Sequence, residues 1–173
     1  MVAPHGGVSS GALNVNAVSR MIAALRHRGP DSQAVHCFGS CTLGSARLSI
    51  VDIEGGRQPI LSGDAALGIT FNGAIYGFRE LKTHLGHYPF RTGTDTEVIL
   101  ALYEKHGDGF LSHLPGMFAF ALWDERRKML ICARDRFGEK PNRHVGPPPR
   151  SVNRKKPQAR RGQAVEMAIR VGH

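Results

Sequence analysis

Met117-Phe118-Ala119-Phe120-Ala121-Leu122-Trp123 and Met129-Leu130-Ile131-Cys132-Ala133 stand on either side of the charged run Glu125-Arg126-Arg127-Lys128. Two apolar runs joined by so short a polar loop read as antiparallel neighbours, because a parallel pair needs a crossover of about a dozen residues or more. Immediately upstream, Thr94-Asp95-Thr96-Glu97 has the form of a capping box ahead of Val98-Ile99-Leu100-Ala101-Leu102, a helix expected to stop near Gly107. Leu67 to Phe71 reads as a strand closed by Asn72-Gly73, a pair that tolerates positive φ and makes tight turns. Phe78, Leu81 and Leu85 mark a short helix after it. Nearer the N-terminus, Cys41 to Val51 reads as a strand region, with Leu43, Leu48, Ile50 and Val51 supplying its apolar character. Val18, Met21, Ile22 and Leu25 fall on one helix face, with Asn14 or Asn16 as its cap and Gly29-Pro30 as its end. Helices and strands mix without a regular βαβ alternation, which predicts a layered α+β fold rather than a doubly wound parallel sheet.

The 173 residues are enough for one domain with a core, and 41% hydrophobic content is ordinary for a globular chain. No run of about 18 apolar residues is present, so no membrane span is expected. Residues 1–7 lack both the basic and the apolar parts of a secretory signal. Cys37, Cys41 and Cys132 form no disulfide-like frame and point to a reduced, cytoplasmic setting. The net charge of +9 is unevenly placed: residues 142–173 hold eight Lys/Arg against Glu166 alone, whereas residues 1–141 hold 15 against 13 acidic residues. The body therefore gives no reason to expect a nucleic-acid partner, and the tail lacks the interleaved aromatics of a single-strand binder. With Pro147-Pro148-Pro149, Arg154-Lys155-Lys156-Pro157 and Arg160-Arg161, residues 142–173 read as a basic, disordered tail. His84 and His87 share a helix face without further ligands, so no metal is expected.

Several blocks occur in a fixed order: Arg26-His27-Arg28-Gly29-Pro30-Asp31, Ala46-Arg47-Leu48-Ser49-Ile50-Val51-Asp52, Gln58-Pro59, and Phe71-Asn72-Gly73-Ala74-Ile75-Tyr76. Thr92-Gly93-Thr94-Asp95-Thr96-Glu97-Val98-Ile99, Gly116 to Asp124 and Arg134-Asp135-Arg136-Phe137-Gly138 complete the series. Together they resemble the N-terminal glutaminase (class II glutamine amidotransferase) domain of glutamine-hydrolysing asparagine synthetases, clearly over residues 15–141 of a domain taken as 1–141. The resemblance implies the four-layer αββα sandwich of N-terminal-nucleophile hydrolases, incomplete here at its C-terminal end. It also implies a reaction in which the glutamine side-chain amide is split and ammonia passes to a separate ATP-using synthetase domain for asparagine biosynthesis.

Free glutamine presents a carboxylate, an ammonium and an amide, and the resemblance assigns a partner to each. Arg47 matches the residue that pairs with the α-carboxylate, a task suited to a two-pronged guanidinium. Asp95 matches an acidic partner for the ammonium. Asn72 and Gly73 match the oxyanion hole, and backbone groups at Ile50 and Val51 line the same pocket. On residue type alone Arg47 is equally a surface arginine, Asp95 a helix N-terminal charge and Asn72-Gly73 a turn.

Two departures bear on activity. The family nucleophile is a cysteine directly after the initiator methionine, with its own α-amine as base; Val2 stands there and offers no lone pair. Ala74 stands where the family has a glutamate that helps hold the substrate ammonium. The expectations are therefore weak binding of L-glutamine and little or no hydrolysis, leaving a non-catalytic glutamine-binding module, or a partner for a separately encoded synthetase, as the alternative role. The resemblance stops at Lys140-Pro141 and includes no pyrophosphate-binding loop. No cofactor is expected in this chain; ATP and Mg belong with the synthetase part. A shifted reading frame near codon 141 would account for the change of character, and missing strands would leave sheet edges unpaired.

Overall fold

The computed structural model describes residues 6–10, 15–27, 29, 31–47, 56–140 and 165–170, with the backbone alone described at 6–10, 47 and 165–170. In chain order the elements are β1 (Gly6–Ser10), α1 (Val15–Ala24), β2 (Ser32–Cys37), β3 (Cys41–Arg47), β4 (Ile60–Leu61), β5 (Leu67–Ile75), α2 (Phe78–His84), α3 (Thr96–His106), β6 (Gly116–Asp124), β7 (Met129–Arg134) and β8 (Val165–Arg170). A 3₁₀ segment, Gly107–His113, follows α3. The strands form two antiparallel sheets, ordered β1-β3-β2 and β4-β5-β6-β7-β8.

Alternation along the strands builds the layers. On β6 and β7, Phe118, Phe120, Leu122, Met129, Ile131 and Ala133 pack into one core with α3. Their alternate neighbours Ala121, Trp123, Leu130 and Cys132 pack with Phe38, Cys41 and Leu43 of the small sheet. That is the period-two signature of strands buried on both faces. A third cluster, Val18, Ile22 and Ala46, seats α1 on the outer face of the small sheet. Gly44 makes this seat possible, since a Cβ there would lie 2.3 Å from Ile22 Cδ1 and 2.6 Å from Val18 Cγ1. The order helix, sheet, sheet, helix is the expected αββα sandwich.

The β6–β7 hairpin forms as read, with a turn over residues 125–128. Its charged turn is tied to α3: the Tyr103 hydroxyl donates to Asp124 Oδ2 at 2.9 Å, and the Arg127 guanidinium donates to Tyr103 at 2.9 Å and to Asp108 at 2.7 Å. α3 begins and ends near its expected limits, closing on Gly107 with φ 55°. α1 begins at Val15, so Asn16 lies inside the helix, while Asn14 lies outside the described residues. β1 and β2 were not legible as strands, because Gly-Gly-Val-Ser-Ser and Ser-Gln-Ala-Val-His-Cys have little apolar alternation.

Three expectations need correction. Asn72-Gly73 does not close a strand: β5 continues to Ile75, in register with β6 from Leu67↔Asp124 to Ile75↔Gly116. Glycine is needed at 73 because the backbone has φ 151° and an added Cβ would lie 2.1 Å from the Met117 carbonyl oxygen. The capping box does not form. Neither Thr94 nor Asp95 caps the helix through its side chain, and the Asp95 and Glu97 carboxylates bond elsewhere. The reading of 142–173 as disordered fails over Val165–Arg170, which pair antiparallel with all of β7 and cover its edge; the rest of that segment lies outside the described residues.

Candidate functional site

Asn72, Gly73 and Ala74 lie near the end of β5, each half-buried. Ile69, Phe71 and Ile75 pack into the helix-side core, so alternation puts Asn72 and Ala74 on the side facing the small sheet. β4 pairs with β5 only at Ile60↔Ile69 and Leu61↔Gly68, which leaves the outer edge of β5 without a strand partner beyond Ile69 among the described residues.

Side chains take over that edge. The Phe71 N–H donates to Gln58 Oε1 at 2.7 Å, and the Ile75 N–H donates to Asp95 Oδ2 at 2.9 Å. The alternation of a strand ladder directs the Gly73 N–H to the same edge, between these two satisfied groups. The Asn72 carboxamide makes no hydrogen bond within the described residues. A backbone donor and a side-chain amide therefore adjoin a carboxylate brought in from the start of α3. Such a set suits a ligand with both a carbonyl oxygen and a cationic group. Asp95 lies 20 residues from Ile75 in sequence, so only the tertiary fold joins them.

Of the other expected residues, Arg47 ends β3 opposite Ser32, with its side chain outside the described residues. Val2, Ile50 and Val51 also lie outside them.

Two buried carboxylates outside the expected site residues hold the frame. Glu97, 1% exposed, accepts from the Arg91 N–H at 2.9 Å and from the Thr92 N–H and hydroxyl, both at 2.7 Å. The loop it holds is fastened from the far side too, since the Arg91 guanidinium reaches the Leu61 and Ser62 carbonyls at 2.9 Å each. Asp135, 2% exposed, accepts from the backbone N–H groups of Phe137 (2.9 Å), Phe118 (3.2 Å), Glu139 (3.2 Å) and Lys140 (3.3 Å). Burial alone would push its carboxyl up, but the four N–H donors more than offset this and hold it below the ordinary carboxylate range. The signal for Glu97 in the sequence is its place in a capping pattern, but its partners lie five and six residues upstream and not at the helix start.

A cavity of about 490 Å³ opens at the same end of the large sheet, lined by Tyr76, Pro115, Met117, Phe118, Asp135 and Phe137 among others. It reaches Met117 and Phe118, the register partners of Ala74 and Gly73, but Asn72, Gly73, Ala74 and Asp95 do not line it.

None of the three thiols is disulfide-bonded. Burial pushes the Cys132 thiol up to about 11, and burial together with the neighbouring Cys132 and Glu125 pushes Cys41 higher still. Both shifts disfavour the thiolate, the form in which a cysteine acts as a nucleophile. Among the described residues no group of three or more His, Cys, Asp or Glu is arranged to hold a metal ion.

The sequence profile of the glutamine amidotransferase domain family matches residues 2–148. The chain belongs to that family. Asparagine synthetase [glutamine-hydrolyzing] 3 of Arabidopsis thaliana is 49% identical to it over 117 residues, covering 68% of this chain and 20% of the relative. Asparagine synthetase [glutamine-hydrolyzing] 2 of Bacillus subtilis (strain 168) is 41% identical over 121 residues, covering 70% and 16%. This amidotransferase domain thus spans about a fifth of the length of the curated relatives it matches. Glutamine phosphoribosylpyrophosphate amidotransferase from B. subtilis shares its fold at 20% identity, with a TM-score of 0.64 over 94% of this chain and 41% of that one. The fold is accordingly that of the N-terminal-nucleophile hydrolases. No helix among the described residues is long and apolar enough to cross a membrane.

Proposed function

We propose that this chain is the glutamine-binding, amidotransferase part of an asparagine-synthetase-like protein, and that with Val2 in place it binds glutamine weakly without hydrolysing it. The observation that carries the reading is the open β5 edge, where the Asp95 carboxylate bonds the amide of Ile75 next to Asn72, Gly73 and Ala74. Asp95 Oδ2 is engaged there, which leaves Oδ1 for the substrate ammonium. Asn72 and the Gly73 N–H receive the side-chain carbonyl, and Arg47 the α-carboxylate, with the backbone at Ile50 and Val51 closing the pocket.

Two positions limit the chemistry. Ala74 contributes no second carboxylate, and losing one hydrogen bond to a charged group costs about 1.5–3 kcal/mol. Val2 supplies no atom that can attack the amide carbon, so no thioester forms. The setting is a reducing, cytoplasmic one, with the synthetase part carried by the longer protein or encoded separately; ATP and Mg act there and not in this domain.

Titration of the purified chain with L-glutamine, followed in parallel by calorimetry and glutamate release, tests this. Saturable heat in the millimolar range without glutamate, lost in Asp95→Asn, is expected. Glutamate release at ordinary enzyme rates would overturn the inactivity, and absence of saturable heat would overturn the binding role.

A further inference from the structure

β8 ends the large sheet, and its outer side has no strand partner among the described residues. Val165, Met167 and Ile169 register against Arg134, Cys132 and Leu130, and Glu166, Ala168 and Arg170 register against Ala133, Ile131 and Met129. Apolar residues thus alternate with a row whose two ends carry opposite charges, symmetric about Ala168.

We propose that β8 is a dimerisation edge, pairing antiparallel with β8 of a second copy of this chain about a two-fold axis at Ala168. That register sets Glu166 opposite the partner's Arg170 and, by symmetry, Arg170 opposite the partner's Glu166. It also sets Met167 opposite the partner's Ile169. An isologous contact requires this kind of self-complementarity, in which each cross-strand pair occurs twice. Moving the axis to Met167 leaves Glu166 opposite an alanine, and moving it to Ile169 does the same to Arg170, so the charge pattern selects one register. The edges of the small sheet offer no such choice: β1 reads Gly-Gly-Val-Ser-Ser and β2 Ser-Gln-Ala-Val-His-Cys, neither with an acidic residue. The two five-stranded sheets would join into one continuous sheet, which gives partners to the outward N–H and C=O groups of β8 that have none in a strand among the described residues.

Sedimentation equilibrium of the full chain over a range of concentrations tests this. A monomer–dimer equilibrium is expected, weakened roughly tenfold by Glu166→Arg, which sets like charges opposite each other. Combining Glu166→Arg with Arg170→Glu exchanges the charges and is expected to restore the affinity. Mixing the two single variants, Glu166→Arg and Arg170→Glu, is expected to give a heterodimer that neither forms alone as a homodimer. A chain that stays monomeric at its highest soluble concentration would overturn the proposal, because the charges would then only keep the edge single. So would a dimer indifferent to Glu166→Arg, or one that the charge exchange fails to rescue.

Discussion

Asp95 and Ala74 flank the same stretch of β5 and contrast sharply. The Asp95 carboxylate holds the Ile75 amide at 2.9 Å, whereas Ala74, one residue earlier, presents only a methyl group. The contrast extends across the molecule. Gln58, Asp95, Glu97 and Asp135 all accept hydrogen bonds from backbone N–H groups, so each stabilises the fold whether or not a substrate is turned over. On the proposed reading, Val2 and Ala74 stand where the family resemblance puts groups that act only on substrate. A complete polar frame is therefore evidence of the architecture and not of catalysis.

The largest effect should come from restoring the substrate positions. Val2→Cys together with Ala74→Glu, with Met1 removed, should raise glutamate release by about three orders of magnitude or more, and Val2→Cys alone by much less. If the double variant folds but releases no glutamate, the frame does not present a competent site and the contrast fails at its centre.

Gly73→Ala should destabilise by about 3 kcal/mol or more, since it forces a Cβ against the Met117 carbonyl at a positive φ. Denaturant unfolding reads this directly, and an unchanged midpoint would mean that β5 and β6 are not held so close. Glu97→Ala should cost about 3 kcal/mol by stranding the Arg91 and Thr92 N–H groups, and Glu97→Gln should cost clearly less because one acceptor oxygen remains. Equal losses would show that the charge, and not the acceptor geometry, holds the loop.

Asp135→Asn should show the smallest effect, about 2 kcal/mol at neutral pH, together with a change in pH dependence. The Asp135 carboxyl is held below its ordinary value in the folded state. Its contribution is therefore complete above about pH 4, the ordinary aspartate range, and is lost as pH falls through the lower folded value. Thermal unfolding between pH 6 and 2 should be steeper for the parent chain than for Asp135→Asn. Parallel curves would remove Asp135 from the frame.

The strongly apolar elements were legible from pattern alone. Phe118 to Trp123, Met129 to Ala133 and Val98 to Leu102 are buried segments whose residue types leave few other arrangements. Asn72-Gly73 misled because a pair suited to tight turns is equally suited to a close inter-strand approach, and what lies opposite is not written locally. Thr94 to Glu97 misled similarly: the capping pattern is real in sequence, but the Ile75 amide and the 91–92 loop compete successfully for both carboxylates. The composition around Val165–Arg170 predicts disorder, yet six residues suffice for a strand when β7 supplies a template edge.

By itself the sequence determined the α+β class, the ordered blocks that place the chain among glutamine amidotransferase domains, and the valine and alanine at positions 2 and 74. These depend on residue identity, which needs no partner to be read. Only the tertiary structure decided that Asp95 serves the edge of β5, that Glu97 and Asp135 are held by backbone amides, and that β8 closes the large sheet. The bonds from Ile75 to Asp95, from Phe118 to Asp135 and between β7 and β8 join distant segments, while Glu97 reaches a loop five and six residues upstream; in each the donor is a backbone N–H that every residue except proline possesses, so no side-chain pattern announces which one will be met.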